Sequence, residues 1–190
     1  MSEAKDAMLR GDLYIADDPE LARDSIRADA LLAAYNATRA DQGEERRRLL
    51  EQLLGSVGEQ VFIRPPLWMD YGYQTTIGPR TFINYNAVIL DVGRVTIGAD
   101  VQIGPNVQLL TPTHPLDPEI RRQALEAQRP ITIEDNVWLG GGVIVCPGVT
   151  IGRDTVVGAG AVVTRDLPPG VLAVGNPARV VRSLTDQHEP

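Results

Sequence analysis

Cysteine is almost absent from this chain of 190 residues: a single thiol, Cys146, excludes any internal disulfide. Histidine is nearly as scarce. His114 and His188 are the only two, and His188 lies in the terminal tail. A site built on three histidine ligands is therefore ruled out, and no metal is expected. Aromatic residues make up 5% of the chain, too few for a core built on Phe and Trp. No stretch approaches the roughly 20 apolar residues of a membrane span. No basic segment leads into an apolar one at the N-terminus in the manner of a secretory signal. Lys5 is the sole lysine, and the formal charge is −7. The one basic block, Arg46-Arg47-Arg48, lies inside a helical pattern. Without a basic stripe, broad nucleic-acid binding is excluded. These absences describe a soluble, cytoplasmic protein with neither nucleic acid nor membrane as a partner.

What the chain does have is a six-residue beat. Ile133, Leu139, Val145, Ile151, Val157 and Val163 are spaced six apart without a break, and Ile77, Ile83, Ile89, then Ile97, Ile103, Leu109 repeat the spacing upstream. Small residues often follow the beat, as at Gly78, Gly98, Gly104, Gly140, Gly152 and Gly158. Fixed self-similarity of this kind marks a solenoid. Six residues make a short strand and a corner, so successive apolar side chains enter one interior stripe. Three such units close one triangular coil of a parallel β-helix.

Residues 1–57 lack the beat and read as a helical cap. Asp18-Pro19-Glu20 is a helix start, with an acidic cap and proline in the first turn. Leu21, Ile26, Leu31, Leu32 and Tyr35 follow as an apolar stripe, and a second helix through Leu49, Leu50, Leu53 and Leu54 stops near Gly55. Such helices are expected on one end of the solenoid, where an open coil exposes unpaired backbone. Residues 58–166 form the β-helix, its first coil partial, with two extra residues between Ile89 and Ile97. The segment 110–130, LTPTHPLDPEIRRQALEAQRP, breaks the pattern. Insertions in repeat proteins map to loops, and long loops in compact domains are often functional. This one carries His114. Residues 167–190 include VLAVGNPARVVR, a strand-turn-strand tail.

In order along the chain, MLRGDLYIADDPEL, DYGYQTTIG, INYNAVILDVG, TPTHPLDPEIRR, ITIEDNVWLGGGVIVCPGVTIG, VVGAGAVVTRDLPPG and VGNPARVVR resemble the maltose and galactoside O-acetyltransferases. These are hexapeptide-repeat sugar enzymes that use acetyl-CoA. The resemblance covers nearly the whole chain. It implies a mainly β fold, a left-handed parallel β-helix with an N-terminal helical extension. It also implies a homotrimer with active sites between subunits. The handedness comes from the resemblance alone, because parallel crossovers are otherwise right-handed.

The resemblance implies His114 as the catalytic base. A neutral imidazole, with an ordinary pKa near 6.5, suits removal of a hydroxyl proton. Sugar contacts map to Asp70, Asn84, Asp91 and Asp17. Asp70 stands where the galactoside enzyme has serine, and Asp17 is displaced by one residue from that enzyme's N-terminal acidic contact. The implied acetyl-CoA contacts are Trp138, Gly141, Ala159, Thr164, Arg165, Arg179 and Arg182, with the arginine forks suited to phosphate oxygens. Some family members carry serine at Gly141, so an oxyanion donor here has to be a backbone N–H. Cys146, inside the regular repeat VIVCPGVTIG, reads as structural. The expected function is acetyl-CoA-dependent O-acetyl transfer to a sugar hydroxyl, maltose- or glucose-like or galactoside. The alternatives are a non-sugar hydroxyl acceptor or a catalytically silent trimeric scaffold.

Overall fold

The computed structural model describes residues 1–184; His188 falls outside them. Every beat residue enters the interior, and the strands stack in three parallel sheets, one per side of the coil. One sheet holds Ser56–Val57, Thr75–Ile77, Val95–Ile97, Ile131–Ile133 and Thr150–Ile151. A second holds Leu67–Met69, Ala87–Leu90, Gln108–Leu110, Ile144–Val145 and Val162–Val163. The third runs from Phe62–Ile63 through Phe82–Ile83, Gln102–Ile103, Trp138–Leu139 and Val156–Val157 to Val171–Val174. Its last strand, Arg179–Ser183, turns back antiparallel, completing the strand-turn-strand tail.

The register puts like on like. Ile77, Ile97, Ile133 and Ile151 form one column. Ile83, Ile103, Leu139 and Val157 form the next, and Ile89, Leu109, Val145 and Val163 the third. A second buried stripe lies two residues earlier, at Val95, Val101, Val107, Ile131, Val137, Val143 and Val149. Each hexapeptide thus puts two side chains inside, as strand alternation requires. The first coil is complete, built from Ser56–Val57, Phe62–Ile63 and Leu67–Met69.

Helix α1 (Glu3–Arg10) has no counterpart among the expected elements, whereas α2 (Pro19–Asn36) and α3 (Gly43–Leu53) do. Asp18 caps α2 by accepting from the Glu20 and Leu21 N–H groups. The buried face of α2 is Leu21, Ala28, Leu32 and Tyr35, a heptad-like spacing. Ile26 is a correction: five residues from Leu21, it falls about 140° off that stripe and is 68% exposed. The first coil's free edge is closed by side chains. The Tyr35 hydroxyl donates to the Ile63 carbonyl at 2.7 Å. The Asn36 amide bonds both backbone groups of Leu67 at 2.9 and 2.8 Å. Arg47 donates to the carbonyls of Val57 and Gly58.

A smaller core lies outside the solenoid, made of Met8, Tyr14, Leu21, Tyr71 and Val92. Lys5 clamps it, its ammonium 3.1 Å from Glu20 and 2.6 Å from Asp24. After α1 the chain forms β1 (Tyr14–Ile15), which pairs antiparallel with Leu125–Gln128 of the excursion. Among the described residues, no helix is long and apolar enough to cross a membrane.

Candidate active site

One corner of the coil is wider than the others. It is widened on three of its passes: from Met69 to Ile77, from Ile89 to Ile97, and from Leu109 to Ile133, where the excursion leaves; the next pass, Val145 to Ile151, keeps the six-residue spacing. Asp91 organises this corner. Its carboxylate accepts from the Tyr71 N–H at 2.9 Å, the Gly72 N–H at 3.1 Å and the Thr75 hydroxyl at 3.1 Å. At 0% exposure it offers a ligand no surface. The expectation that Asp91 touches sugar is therefore corrected: its oxygens are engaged by the turn below.

Asp70 leads into the same corner, half-buried, without a hydrogen-bond donor among the described residues. Burial, then the neighbouring carboxylates of Asp91, Glu126 and Asp29, push its pKa up to about 7 from the ordinary 3.8. A raised carboxyl pKa means the fold favours the protonated form. Stability is thus full below about pH 4 and declines as pH rises through about 7. Asp70→Asn is expected to leave thermal unfolding at pH 4 unchanged. At pH 8 it should stabilise by roughly 1–3 kcal/mol. Equal melting shifts at both pH values count against the ionisation of Asp70 as the cause.

The excursion folds on this corner. Pro112–Thr113 pairs with Leu125–Gln128, and helix α4 (Pro118–Arg121), capped by Asp117, spans the tip. Arg121 donates to the carbonyls of Pro115 and Leu116 at 3.1 and 3.0 Å, shaping the loop beside His114. The His114 side chain is 55% exposed, with Nδ1 3.3 Å from the Leu125 carbonyl and Nε2 4.0 Å from a Glu126 oxygen. A carbonyl only accepts, so in a neutral ring this contact puts the proton on Nδ1 and leaves Nε2 without one. That cleft, about 450 Å³, is lined by Ile15, Ala16, Asp17, His114, Arg121, Ala124 and Glu126. Asp17 and His114 thus meet, although about a hundred residues separate them. Glu126 and Tyr14 were not singled out from the sequence. Their meeting comes from strand pairing across 112 residues, for which neither segment carries a local signal.

Asn84 belongs to a different groove, of about 440 Å³, with Phe82, Gly104, Trp138, Gly140, Gly141, Gly158 and Ala159 among its walls. Register stacks Asn84 with Gly104, Gly140 and Gly158, since their preceding residues are ladder partners. A Cβ at Gly104 or Gly140 would lie 2.6 or 2.5 Å from backbone of the next coil, so packing demands glycine there. Gly141 differs: an added Cβ would meet nothing closer than Pro105 at 3.4 Å. The N–H groups of Gly140 and Gly142 are tied to the carbonyls of Val157 and Pro105. Among the described residues the Gly141 N–H has no acceptor, so it is the donor of the three that remains open to a ligand.

Trp138 is 55% exposed on the outer face of its sheet. Thr164, Arg165, Arg179 and Arg182 are exposed and line neither cavity. Arg179 starts the returning strand opposite Val174, whose side chain flanks Gly158 at the groove's end. Cys146 packs partly buried against the core, and burial pushes its thiol pKa up, the opposite of an activated nucleophile. Among the described residues no cluster of side chains is arranged to hold a metal ion.

Two family patterns match the chain. The maltose acetyltransferase hexapeptide capping motif covers residues 7–58, and the bacterial transferase hexapeptide (six repeats) covers residues 130–165. Nodulation protein L of Rhizobium meliloti (strain 1021) is 51% identical over 176 residues, spanning 93% of this chain and 96% of the relative. The crystal structure of a maltose O-acetyltransferase from Clostridium difficile 630 superimposes with a TM-score of 0.95 at 43% identity, covering 97% of this chain and 99% of that one. A galactoside acetyltransferase in complex with coenzyme A gives a TM-score of 0.93 at 36% identity, over 98% of this chain and 93% of that one. With coil, cap and excursion all shared at this level, the chain belongs to the maltose and galactoside O-acetyltransferases, the hexapeptide-repeat acyltransferases that act on sugars.

Proposed function

We propose that this protein transfers the acetyl group of acetyl-CoA to a sugar hydroxyl, with His114 as general base. The observation that carries the reading is the imidazole itself: half-exposed in a cleft, Nδ1 against a carbonyl, Nε2 bare and beside a carboxylate. Nε2 takes the proton of the acceptor hydroxyl while the oxygen's electron pair forms the new bond to the thioester carbon. Charge passes to the former carbonyl oxygen, where the Gly141 N–H is the available donor. Collapse expels the CoA thiolate, and the imidazolium returns the proton to sulfur. Asn84 and Asp17 suit sugar hydroxyls, an amide and a carboxylate that select ligands able to bond them. Trp138, Ala159, Thr164, Arg165, Arg179 and Arg182 follow the acetyl-CoA arm toward its phosphates. The galactoside relative holds coenzyme A, and the glycine column leaves a shallow channel open beside Trp138.

Within one chain the His114 cleft and the Asn84 groove share no lining residue. That separation supports a homotrimer in which one subunit supplies His114 and its neighbour Asn84. The outer columns agree. Phe62, Phe82, Gln102, Trp138 and Val156 cover one sheet, and Trp68, Val88, Gln108, Ile144 and Val162 another, each apolar but for one glutamine, whereas Thr76, Thr96, Thr132 and Thr150 cover the third. Two largely apolar sides, each with one glutamine, and one hydroxyl side fit a molecule that packs through the first two. Co-expressed at equal levels, His114→Ala and Asn84→Ala chains, each impaired alone, are expected to recover about a quarter of wild-type activity over the randomly assembled population, since about one in three interfaces of each mixed trimer, and none in the unmixed ones, pairs intact partners. No recovery in verified mixed trimers overturns the shared site.

The direct test measures CoA release from acetyl-CoA with maltose, glucose, galactosides, chloramphenicol and serine. Turnover confined to sugars supports the reading. Turnover confined to chloramphenicol or serine replaces the acceptor class, and CoA binding without turnover replaces the enzyme with a scaffold.

A further inference from the structure

The surroundings of the His114 ring come from one short strand. Leu125 supplies the carbonyl at Nδ1 and Glu126 the carboxylate near Nε2. These same two residues pair with β1, Ile15 opposite Leu125 and Tyr14 opposite Glu126. A two-residue antiparallel pairing is marginal alone. Here it is anchored by Tyr14, 4% exposed and packed among Met8, Leu21, Tyr71 and Val92. The Tyr14 hydroxyl donates to Oε1 of Glu126, and Oε2 of that carboxylate faces His114. One oxygen is held from the N-terminal arm, and the other is aimed at the base.

We propose that Tyr14 is a positioning residue for the catalytic base: it fixes the Glu126 carboxylate so that Oε2 stabilises the imidazolium formed when the acceptor's proton reaches Nε2. This rests on the reading of His114 as general base. At 4.0 Å the carboxylate is beyond hydrogen-bonding distance of the neutral ring, yet close enough to act on a full charge. Its benefit therefore grows as the proton arrives, which is what a contribution to kcat requires. Tyr14 itself stays a donor. Burial, then the Glu126 carboxylate, drives its pKa upward, so the phenol keeps its proton throughout the working range. The other groups facing this pair are Asp17 and Arg121 in the cleft wall, and Asp70 and Tyr71 from the widened corner. Asp29 of α2 and the sequestered Asp91 act on Asp70 from behind. The arm of residues 1–18 thus does more than cap the solenoid.

The test compares wild type, Tyr14→Phe, Glu126→Gln, the double variant and His114→Ala, all with acetyl-CoA and maltose, or the fastest sugar of the panel. Tyr14→Phe is expected to lower kcat about tenfold, with KM for both substrates within twofold of wild type. The acid limb of its kcat/KM profile should move to lower pH, because an unsupported imidazolium forms less readily. Glu126→Gln should show the same shift, larger, and Tyr14→Phe should cost nothing more in that background. Wild-type kcat in Tyr14→Phe, or an equal loss with and without Glu126, overturns the proposal. So does a loss with an unmoved pH profile and a lowered Tm, which marks mere packing. Turnover that survives His114→Ala, or no turnover with any sugar, removes the base reading itself. A dead His114→Ala beside a fully active Tyr14→Phe removes only Tyr14.

Discussion

His114→Ala is expected to lower turnover by about 10²–10⁴-fold, the usual contribution of a positioned general base. The fold should survive the change. The ring is more than half exposed, and its closest polar contact is the 3.3 Å approach to the Leu125 carbonyl. Circular dichroism and the melting temperature should therefore match wild type, so lost activity reports chemistry. His114→Asn sharpens the result. Its amide N–H can still reach the Leu125 carbonyl, but an amide has no basic nitrogen. If placement were the ring's main service, asparagine would restore activity; if it is the base, His114→Asn stays as inactive as alanine. A folded His114→Ala protein with normal kcat ends the general-base assignment.

Asp91→Ala is expected to have the largest effect on stability. The carboxylate satisfies three donors inside the widened corner. Removing it leaves two buried N–H groups and a hydroxyl without an acceptor, at a cost of roughly 3 kcal/mol or more. For a chain of this size that lowers Tm by about 6–12 °C. Burial raises the Asp91 pKa while its three donors pull it back. Asp91→Asn keeps one acceptor oxygen and should recover part of the loss. The kinetic pattern separates scaffold from contact. As a sugar contact, Asp91→Asn would raise KM at unchanged Tm. As the corner's brace it lowers Tm, and KM follows only as the corner loosens. A melting temperature within 2 °C of wild type, with raised KM, restores the contact reading.

The solenoid was legible because its rule is local. Ile77 and Val163 are both interior, for the same reason of six-residue spacing. The Asp18 cap and the tail hairpin were equally legible, each written within a few neighbouring residues. What escaped had partners far along the chain. Neither YI at Tyr14–Ile15 nor LEAQ at Leu125–Gln128 announces a strand; each becomes one because the other arrives beside it. Glu126 and Tyr14 consequently stayed hidden even though His114 stood out. Asp91 misled for the converse reason. A polar residue beside the beat looks available to a ligand, and whether turn donors already occupy it depends on the coil below. Asn84 lies in a groove because its glycine neighbours lie directly above it in register, a relation that is set by the coil and not by its own neighbours in sequence.

The neck of the excursion has a consequence for how such a protein changes over evolutionary time. Val95 and Ile131 are ladder neighbours, and the Arg129 N–H closes on the Thr111 carbonyl at 3.0 Å. The hydrogen-bonded ladder therefore runs past the excursion as if residues 111–130 had been spliced in afterwards. A segment joined at a pinched neck behaves as an exchangeable cassette. Changes in its length are taken up outside the host coil, which keeps its register on either side of the neck.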